Sequence, residues 1–154
     1  MNPWHLKIKT PFGMLGMRCD DFAVLETEYL PRQSAAQPPQ NYLAKEAARQ
    51  MRAYLRRPRG FVFELPLLSA PTAHQRRVRD ALMKVAGGEK RTYGDIARQI
   101  KSSPRAVGGA CRANFLPLLV PCHRIVAANG EGGFMGDGAD MSGLKRALLK
   151  FEEA

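Results

Sequence analysis

Apolar side chains at the start of the chain gather into three short strand-like runs, 4–9 (WHLKIK), 14–19 (MLGMRC) and 22–30 (FAVLETEYL). Pro11-Phe12-Gly13 and Asp20-Asp21 supply turns between them, so an antiparallel meander is expected. Residues 31–40 (PRQSAAQPPQ) are polar and proline-rich, and read as a loop. The period then becomes helical. Tyr42, Leu43, Ala47, Met51, Tyr54 and Leu55 recur near helical spacing behind Asn41, a candidate N-cap, and Pro58 and Gly60 stop the helix. Residues 61–65 (FVFEL) predict another strand, and 66–71 (PLLSAP) a boundary between domains 1–69 and 70–154.

Beyond that boundary the pattern is mainly helical. Thr72 and Gln75 are spaced as a capping box, followed by an apolar stripe of Val78, Leu82 and Val85 and a stop at Gly87-Gly88. Two short helices, 93–100 and 105–114, flank a turn at Lys101–Pro104, which is the pattern of a helix-turn-helix. Residues 129–143 hold six glycines and predict a mobile loop that gates a site. A last helix is expected over 143–152, with Leu144, Leu148 and Phe151 inward and Lys145 and Glu152 seven apart. The fold class is therefore α+β: a small N-terminal antiparallel sheet-plus-helix domain, then a mainly helical domain with a helix-turn-helix and a strand carrying a cysteine.

Composition narrows the class. With 45% hydrophobic and 25% charged residues among 154, the chain is that of an ordinary globular protein. It has no apolar run of about 18 residues, so no membrane partner is expected, and its N-terminus lacks a signal-peptide core. Cys19, Cys111 and Cys122 are an odd count at unrelated spacings, which argues for a reducing, cytoplasmic setting. Of the net charge of +10, +8 falls within 71–130. That concentration is either a solvated basic face or a nucleic-acid footprint.

The second helix of the pair is unusual in being built from Ala106, Gly108, Gly109 and Ala110. Each internal glycine costs about 1 kcal/mol relative to alanine. Tight packing on another helix would offset that cost, and so would close approach to a nucleic-acid groove between Arg105 and Arg112. Cys122 also has two readings. Flanked by Leu119, Val120, Ile125 and Val126, it is a buried structural thiol. Beside His123 and Arg124, and after Pro121, it is an activated nucleophile. The nucleophile would suit a protease, a redox sensor or a transferase.

The stretch RAVGGACRANFLPLLVPCHRIV, residues 105–126, resembles the signature of the O6-alkylguanine-DNA alkyltransferases, and the likeness runs from about Thr72 to Glu153. It implies direct transfer of a methyl or other alkyl group from O6 of guanine, and possibly O4 of thymine, to Cys122. By the same resemblance His123 takes the thiol proton through a water, Glu152 orients His123, Tyr93 donates toward N3 of guanine, and Asn114 braces the active-site strand. Arg105 is the finger that fills the space of the flipped nucleotide. Ala106, Gly108, Gly109 and Arg112 face a minor groove. Ile125, Phe134, Met135 and Cys111 belong to the pocket, where the Cys122 and Ile125 carbonyls receive the guanine amine and Cys111 only packs. The implied partner is double-stranded DNA containing alkylated guanine, bound by a monomer, with no cofactor. His5, His74 and Cys19 are too few for a zinc site. The chain departs from the family pattern at Phe115, where proline is frequent, at Phe134, where tyrosine is, at Met135, and in a longer loop at 136–142.

Overall fold

A computed structural model describes residues 2–128 and 139–153, with backbone alone for 139–142. The chain divides into two compact units, residues 1–57 with 63–68, and 58–62 with 69–154.

The first unit is a three-stranded antiparallel meander, β1 (Leu6–Thr10), β2 (Gly13–Cys19) and β3 (Val24–Leu30), with β2 in the middle. The register pairs Leu6 with Met17 and Met14 with Leu30. β2 buries Met14, Leu15, Met17 and Cys19, and the helix α1 (Tyr42–Arg56) packs on the sheet through Ala44, Ala47, Ala48, Met51 and Tyr54. Asn41 caps α1 as expected. Its Oδ1 accepts from Ala44 N at 2.8 Å while its Nδ2 donates to Cys19 O at 3.0 Å, fastening the helix start to the end of β2.

The expected strand at 61–65 does not form. Its place in backbone pairing is taken by a side chain: Glu64 N donates to Gln50 Oε1 at 2.8 Å and Gln50 Nε2 donates to Glu64 O at 2.9 Å. Only Leu67, just beyond, makes a bridge, to Val24. The apolar alternation there reflects burial of Phe63 and not a ladder.

In the second unit the start read at Thr72 holds, and two further caps join it. The Thr72–Gln75 capping box opens α2 (Ala73–Leu82), and a Thr92–Asp95 box opens α3 (Tyr93–Ile100). Ser103 caps α4 (Pro104–Arg112), which has proline in its first turn. Between α3 and α4 Lys101 adopts the left-handed conformation, and Ser102 Oγ lies 2.8 Å from His74 Nε2, tying the turn to α2. The helices α2, α3 and α4 pack together around Val78, Leu82, Ile96, Ala97 and Val107.

Two short strands then set the site. β4 (Arg91–Thr92) pairs in parallel with β5 (Ile125–Val126), Arg91 opposite Ile125. β4 leads into Tyr93 and β5 leaves the cysteine, so the pairing fixes one against the other. The last helix, α5 (Ala139–Glu152), starts earlier than its sequence pattern indicates. Its buried face also differs. Lys145, Leu148, Leu149 and Glu152 point inward at helical spacing, whereas Leu144 and Phe151 are half-buried.

Gly87 does not end a helix; α2 stops at Leu82. Gly60 N donates to Gly87 O at 2.7 Å and Gly87 N to Phe61 O at 3.1 Å, which brings 58–61 so close that a Cβ on Gly87 would run into the Pro58 carbonyl. Gly88, at φ +88°, turns the chain past the Glu152 carbonyl. Gly87→Ala is therefore expected to lower unfolding free energy by about 2–4 kcal/mol in urea titration. Gly60→Ala, which has a positive φ but open space, should lose only about 1–2 kcal/mol.

Candidate active site

Cys122 lies at the start of a 3-10 turn, Cys122–Arg124, and not within a strand. Pro121 precedes it, and the turn closes through Arg124 N donating to Pro121 O at 3.0 Å. The approach to this turn is held by Asn114. Its Oδ1 accepts from Leu116 N at 2.9 Å and its Nδ2 donates to Val120 O at 3.1 Å, bracketing a tight loop in which Leu118 sits at φ +75° with its side chain buried. Asn114 also lowers the pKa of the Cys122 thiol. The brace expected of this residue thus acts on the loop before the cysteine.

Behind the turn lies a buried ionic cluster. His123 Nε2 is 2.8 Å from Glu152 Oε2. Arg124 grips the same carboxylate with both arms, Nε to Oε1 and Nη2 to Oε2, each at 2.8 Å, and its Nη1 donates to Val85 O at 2.7 Å. His123, Arg124 and Glu152 are 1%, 2% and 0% exposed, so almost no water screens these contacts. Lys145, also fully buried, donates from Nζ to Ile125 O at 2.6 Å and stands 5.6 Å from the centre of the Tyr93 ring.

These contacts decide protonation. Burial alone would push the Glu152 carboxyl up, but hydrogen bonds from Arg124 and His123 outweigh it and hold it at about 2. Glu152 is therefore ionised and can only accept, which requires His123 Nε2 to carry the proton and leaves Nδ1 as a base. Burial lowers the His123 pKa, more than the neighbouring carboxylate raises it, so the ring rests neutral. Cys122 is raised by its hydrogen bond with Cys111 and by burial, against smaller lowering by Asn114 and Lys145. It rests as a thiol. Burial also pushes the Tyr93 phenol up to about 12, so it keeps its proton.

Cys122, His123, Glu152, Asn114, Tyr93, Ile125 and Cys111 are thus gathered by one small set of elements. Ile125 contributes a carbonyl that Lys145 already occupies, with one lone pair remaining. Cys111, expected only to pack, is buried on α4 and raises the pKa of the Cys122 thiol. Arg105, Ala106 and Arg112 are exposed on α4, and Gly108 and Gly109 half-exposed. A Cβ on either glycine would make only ordinary contacts, the nearest at 3.8 Å to Arg112, so packing within the protein does not require them. Phe134 and Met135, with the expected gating loop, lie outside the described residues. Among the described residues no group of His, Cys, Asp and Glu could hold a metal ion, and His5 Nδ1 accepts from Cys19 N.

Three contributors escaped the sequence reading. Arg124 anchors Glu152, and its signal was a charge inside an apolar run. Lys145 served only to place Glu152 by spacing. Arg79 lies with its guanidinium 5.3 Å over the Phe115 ring and lines, with Asn114 and Val120, a cleft reaching Cys122. Phe115 thereby gains a packing role that proline would not supply.

The cluster makes stability depend on pH. Because Glu152 is held below the ordinary carboxylate value of about 4.3, its stabilisation is present above that value and lost as pH falls toward 2. His123, held below its ordinary value of about 6.5, adds a loss that begins there, since the unfolded chain takes up that proton first. Urea midpoints should fall in two stages from pH 7 to 3. Arg124→Met should cost about 3–5 kcal/mol at pH 7 by leaving the carboxylate uncompensated, and should flatten the acid stage.

The chain is similar to known proteins along most of its length. Residues 73–154 match the model of the 6-O-methylguanine DNA methyltransferase DNA-binding domain. A methylated-DNA–protein-cysteine methyltransferase of Methanosarcina acetivorans is 31% identical over 158 residues, covering 97% of each chain. One from Archaeoglobus fulgidus is 38% identical over 109 residues, 70% of this chain and 74% of its own. Among solved structures, the Mycobacterium tuberculosis O6-methylguanine methyltransferase superimposes with a TM-score of 0.79 at 31% identity, covering 97% of this chain and 92% of the other. A DNA complex of the Mycobacterium tuberculosis protein gives 0.76 at 32% identity, covering 96% and 91%. A family model over residues 73–154 and a relative matched along almost the whole chain leave one assignment: the protein belongs to the methylated-DNA–protein-cysteine methyltransferase family of direct-reversal DNA-repair enzymes.

Proposed function

We propose that Cys122 is the alkyl acceptor and that O6-alkylguanine in double-stranded DNA is the donor. The observation that carries this reading is the His123–Glu152–Arg124 cluster, which presents a neutral, correctly protonated imidazole beside a buried thiol. As Cys122 Sγ attacks the alkyl carbon, the thiol proton passes to His123 Nδ1 through a water, and the new imidazolium is stabilised by the ionised Glu152. The bond from that carbon to O6 breaks, and its electrons stay on guanine. Tyr93, a phenol that holds its proton, donates toward N3 and neutralises the leaving base. The remaining Ile125 lone pair and the Cys122 carbonyl receive the guanine amine, with Phe134 and Met135 as further pocket walls. O4-alkylthymine fits the same displacement.

A buried thiol cannot reach O6 inside a stacked duplex, so the nucleotide must be flipped out. Arg105, exposed in the first turn of α4, fills the vacated space. Ala106, Gly108 and Gly109 let the helix enter a minor groove only about 6 Å wide, with Arg112 at its other end. The glycines, which packing does not demand, support that reading. The basic stretch 71–130 adds sequence-independent phosphate contacts. The balance uses only thiol, base and phenol, so no cofactor or metal is a reactant. A monomer suffices, working in a reducing, cytoplasmic setting that keeps the thiol intact. Among the described residues no helix is long and apolar enough to cross a membrane.

The thioether product is a poor leaving group, so each molecule acts once. Mixing the protein with a duplex bearing one O6-methylguanine should add about 14 Da at Cys122, never more than once per molecule, and Cys122→Ala should gain nothing. Tight binding without mass change would move the protein to a damage-flagging role. Tyr93→Phe should slow transfer by roughly tenfold to a hundredfold while the mass gain still reaches completion. The methyl group, placed in a packed core, should lower the melting temperature of the product by several degrees, on the order of 1–3 kcal/mol.

A further inference from the structure

The proposed chemistry uses no residue on the outer face of α1. That helix, Tyr42–Arg56, buries Ala44, Ala47, Ala48, Met51 and Tyr54 against its own sheet. Along the side away from the sheet run Tyr42, Lys45, Arg49, Arg52 and Arg56, all exposed. Their spacing of 3, 4, 3 and 4 residues keeps them on one stripe of the helix. We propose that this stripe is a second DNA contact of the protein, through which the first unit holds the sugar–phosphate backbone of duplex DNA. The matched DNA-binding domain begins at residue 73, so the contact lies outside it. It rests on duplex DNA being the partner, as in the proposed function, and not on Cys122.

Helix stability alone does not account for the stripe. Lys45 lies in the first turn, where the macrodipole favours an acid, and that turn holds no acidic residue. Only Arg56, in the last turn, stands where the macrodipole favours a cation. Lys45 with Arg49, and Arg52 with Arg56, are like charges four residues apart, which repel on a helix surface. Among the described residues, Arg49 alone of these cations meets an acid, Glu46, at 2.6 Å. That carboxylate is shared with the buried Gln50. Lys45, Arg52 and Arg56 thus present charge that nothing within the described chain neutralises.

A polyanion is the partner that such a stripe fits. From Lys45 to Arg56 the helix rises about 16 Å, at about 1.5 Å per residue, which matches about five phosphates of one DNA strand at about 3.4 Å each. Arginine, lysine and tyrosine side chains on phosphate hold a duplex in place and carry no sequence information. Tyr42, 88% exposed, sets its hydroxyl at the head of the stripe. A membrane surface does not fit. An interfacial helix lays its apolar face into the bilayer, and α1 has buried that face on its own sheet. A DNA-repair protein meets mostly undamaged duplex, and a hold that ignores sequence suits that search.

The test measures binding of the full chain to an undamaged duplex of about 30 base pairs over a range of salt, by fluorescence anisotropy. The variant Lys45→Gln/Arg52→Gln/Arg56→Gln should flatten the slope of log K against log salt by about 2–3, near 0.9 for each lost phosphate contact, and weaken binding at least about tenfold at low salt. Arg52→Gln alone, exposed in mid-helix, should flatten it by about 1. Lys45→Arg/Arg52→Lys/Arg56→Lys, which keeps the charge, should bind within about threefold of the wild type. A control that removes the same charge from the same unit off the stripe, Lys7→Gln/Lys9→Gln/Arg32→Gln, should change the slope by less than about 1. Equal slopes for the stripe variants and the wild type would overturn the inference. So would an equal drop for the stripe and control variants, which marks a general effect of net charge. Binding to undamaged duplex needs neither lesion nor transfer. A chain whose slope depends on the stripe but whose Cys122 never gains a methyl would sink the proposed acceptor and leave this contact standing; methyl gain with no dependence on the stripe would do the reverse.

Discussion

The grip of Arg124 on Glu152 is the contact on which the rest of the site depends. A carboxylate with no exposure is tolerated only because a guanidinium meets both its oxygens and a histidine adds a third bond. Such clusters add little stability over an apolar core, because desolvation offsets much of the attraction. Their value is positional. Glu152 ends α5, Arg124 ends the cysteine turn, and the third guanidinium bond reaches Val85 after α2. Three segments distant in sequence are thus referenced to one carboxylate. Gly87 and Gly88 follow from that convergence, since a side chain at either would separate the loop from Pro58 or from the end of α5.

Much of this was legible from short-range chemistry. Asn41 and Thr72 mark helix starts because a side-chain oxygen before a helix has one favourable use, and the structure places each on a backbone N–H; Ser103, read only as part of a turn, does the same. The Pro-Cys-His-Arg run left Cys122 open between a structural thiol and a nucleophile on its residues alone, and only the family resemblance chose between them. What failed was reading burial as if it belonged to apolar residues. On α5 the pattern pointed to Leu144, Leu148 and Phe151; Leu148 is buried as expected, but the rest of the inward face is Lys145, Leu149 and Glu152. No periodicity argument can assign charge to a core before the partners are known, and here the partners lie on the cysteine turn. The 61–65 segment failed for a related reason. Its ladder partner is the side chain of Gln50, which a strand pattern does not encode.

The parallel pairing of β4 with β5 explains how one short domain joins recognition to chemistry. Thr92 caps α3 and also pairs with Val126, so the first residue of α3, Tyr93, is fixed relative to the cysteine turn. From α3 the chain turns at Lys101 into α4, whose exposed face carries Arg105 and whose buried face carries Cys111, which raises the pKa of the Cys122 thiol. A single helix therefore touches both the proposed groove and the acceptor. Rigid linkage of this kind favours a reaction that requires the base to arrive in one orientation.

The resting state of the thiol follows from single use. A catalyst that turns over gains from a permanently activated nucleophile, because each encounter counts. An acceptor consumed by its first reaction gains nothing from reactivity toward the wrong electrophile. Here burial and Cys111 keep Cys122 protonated, and in the proposed mechanism the neutral His123 takes that proton only when a substrate and a bridging water complete the path. The buried Lys145 ammonium then favours the thiolate at that moment. The electrostatics thus separate storage from use: the same desolvation that silences the thiol at rest strengthens every interaction that stabilises charge once transfer begins.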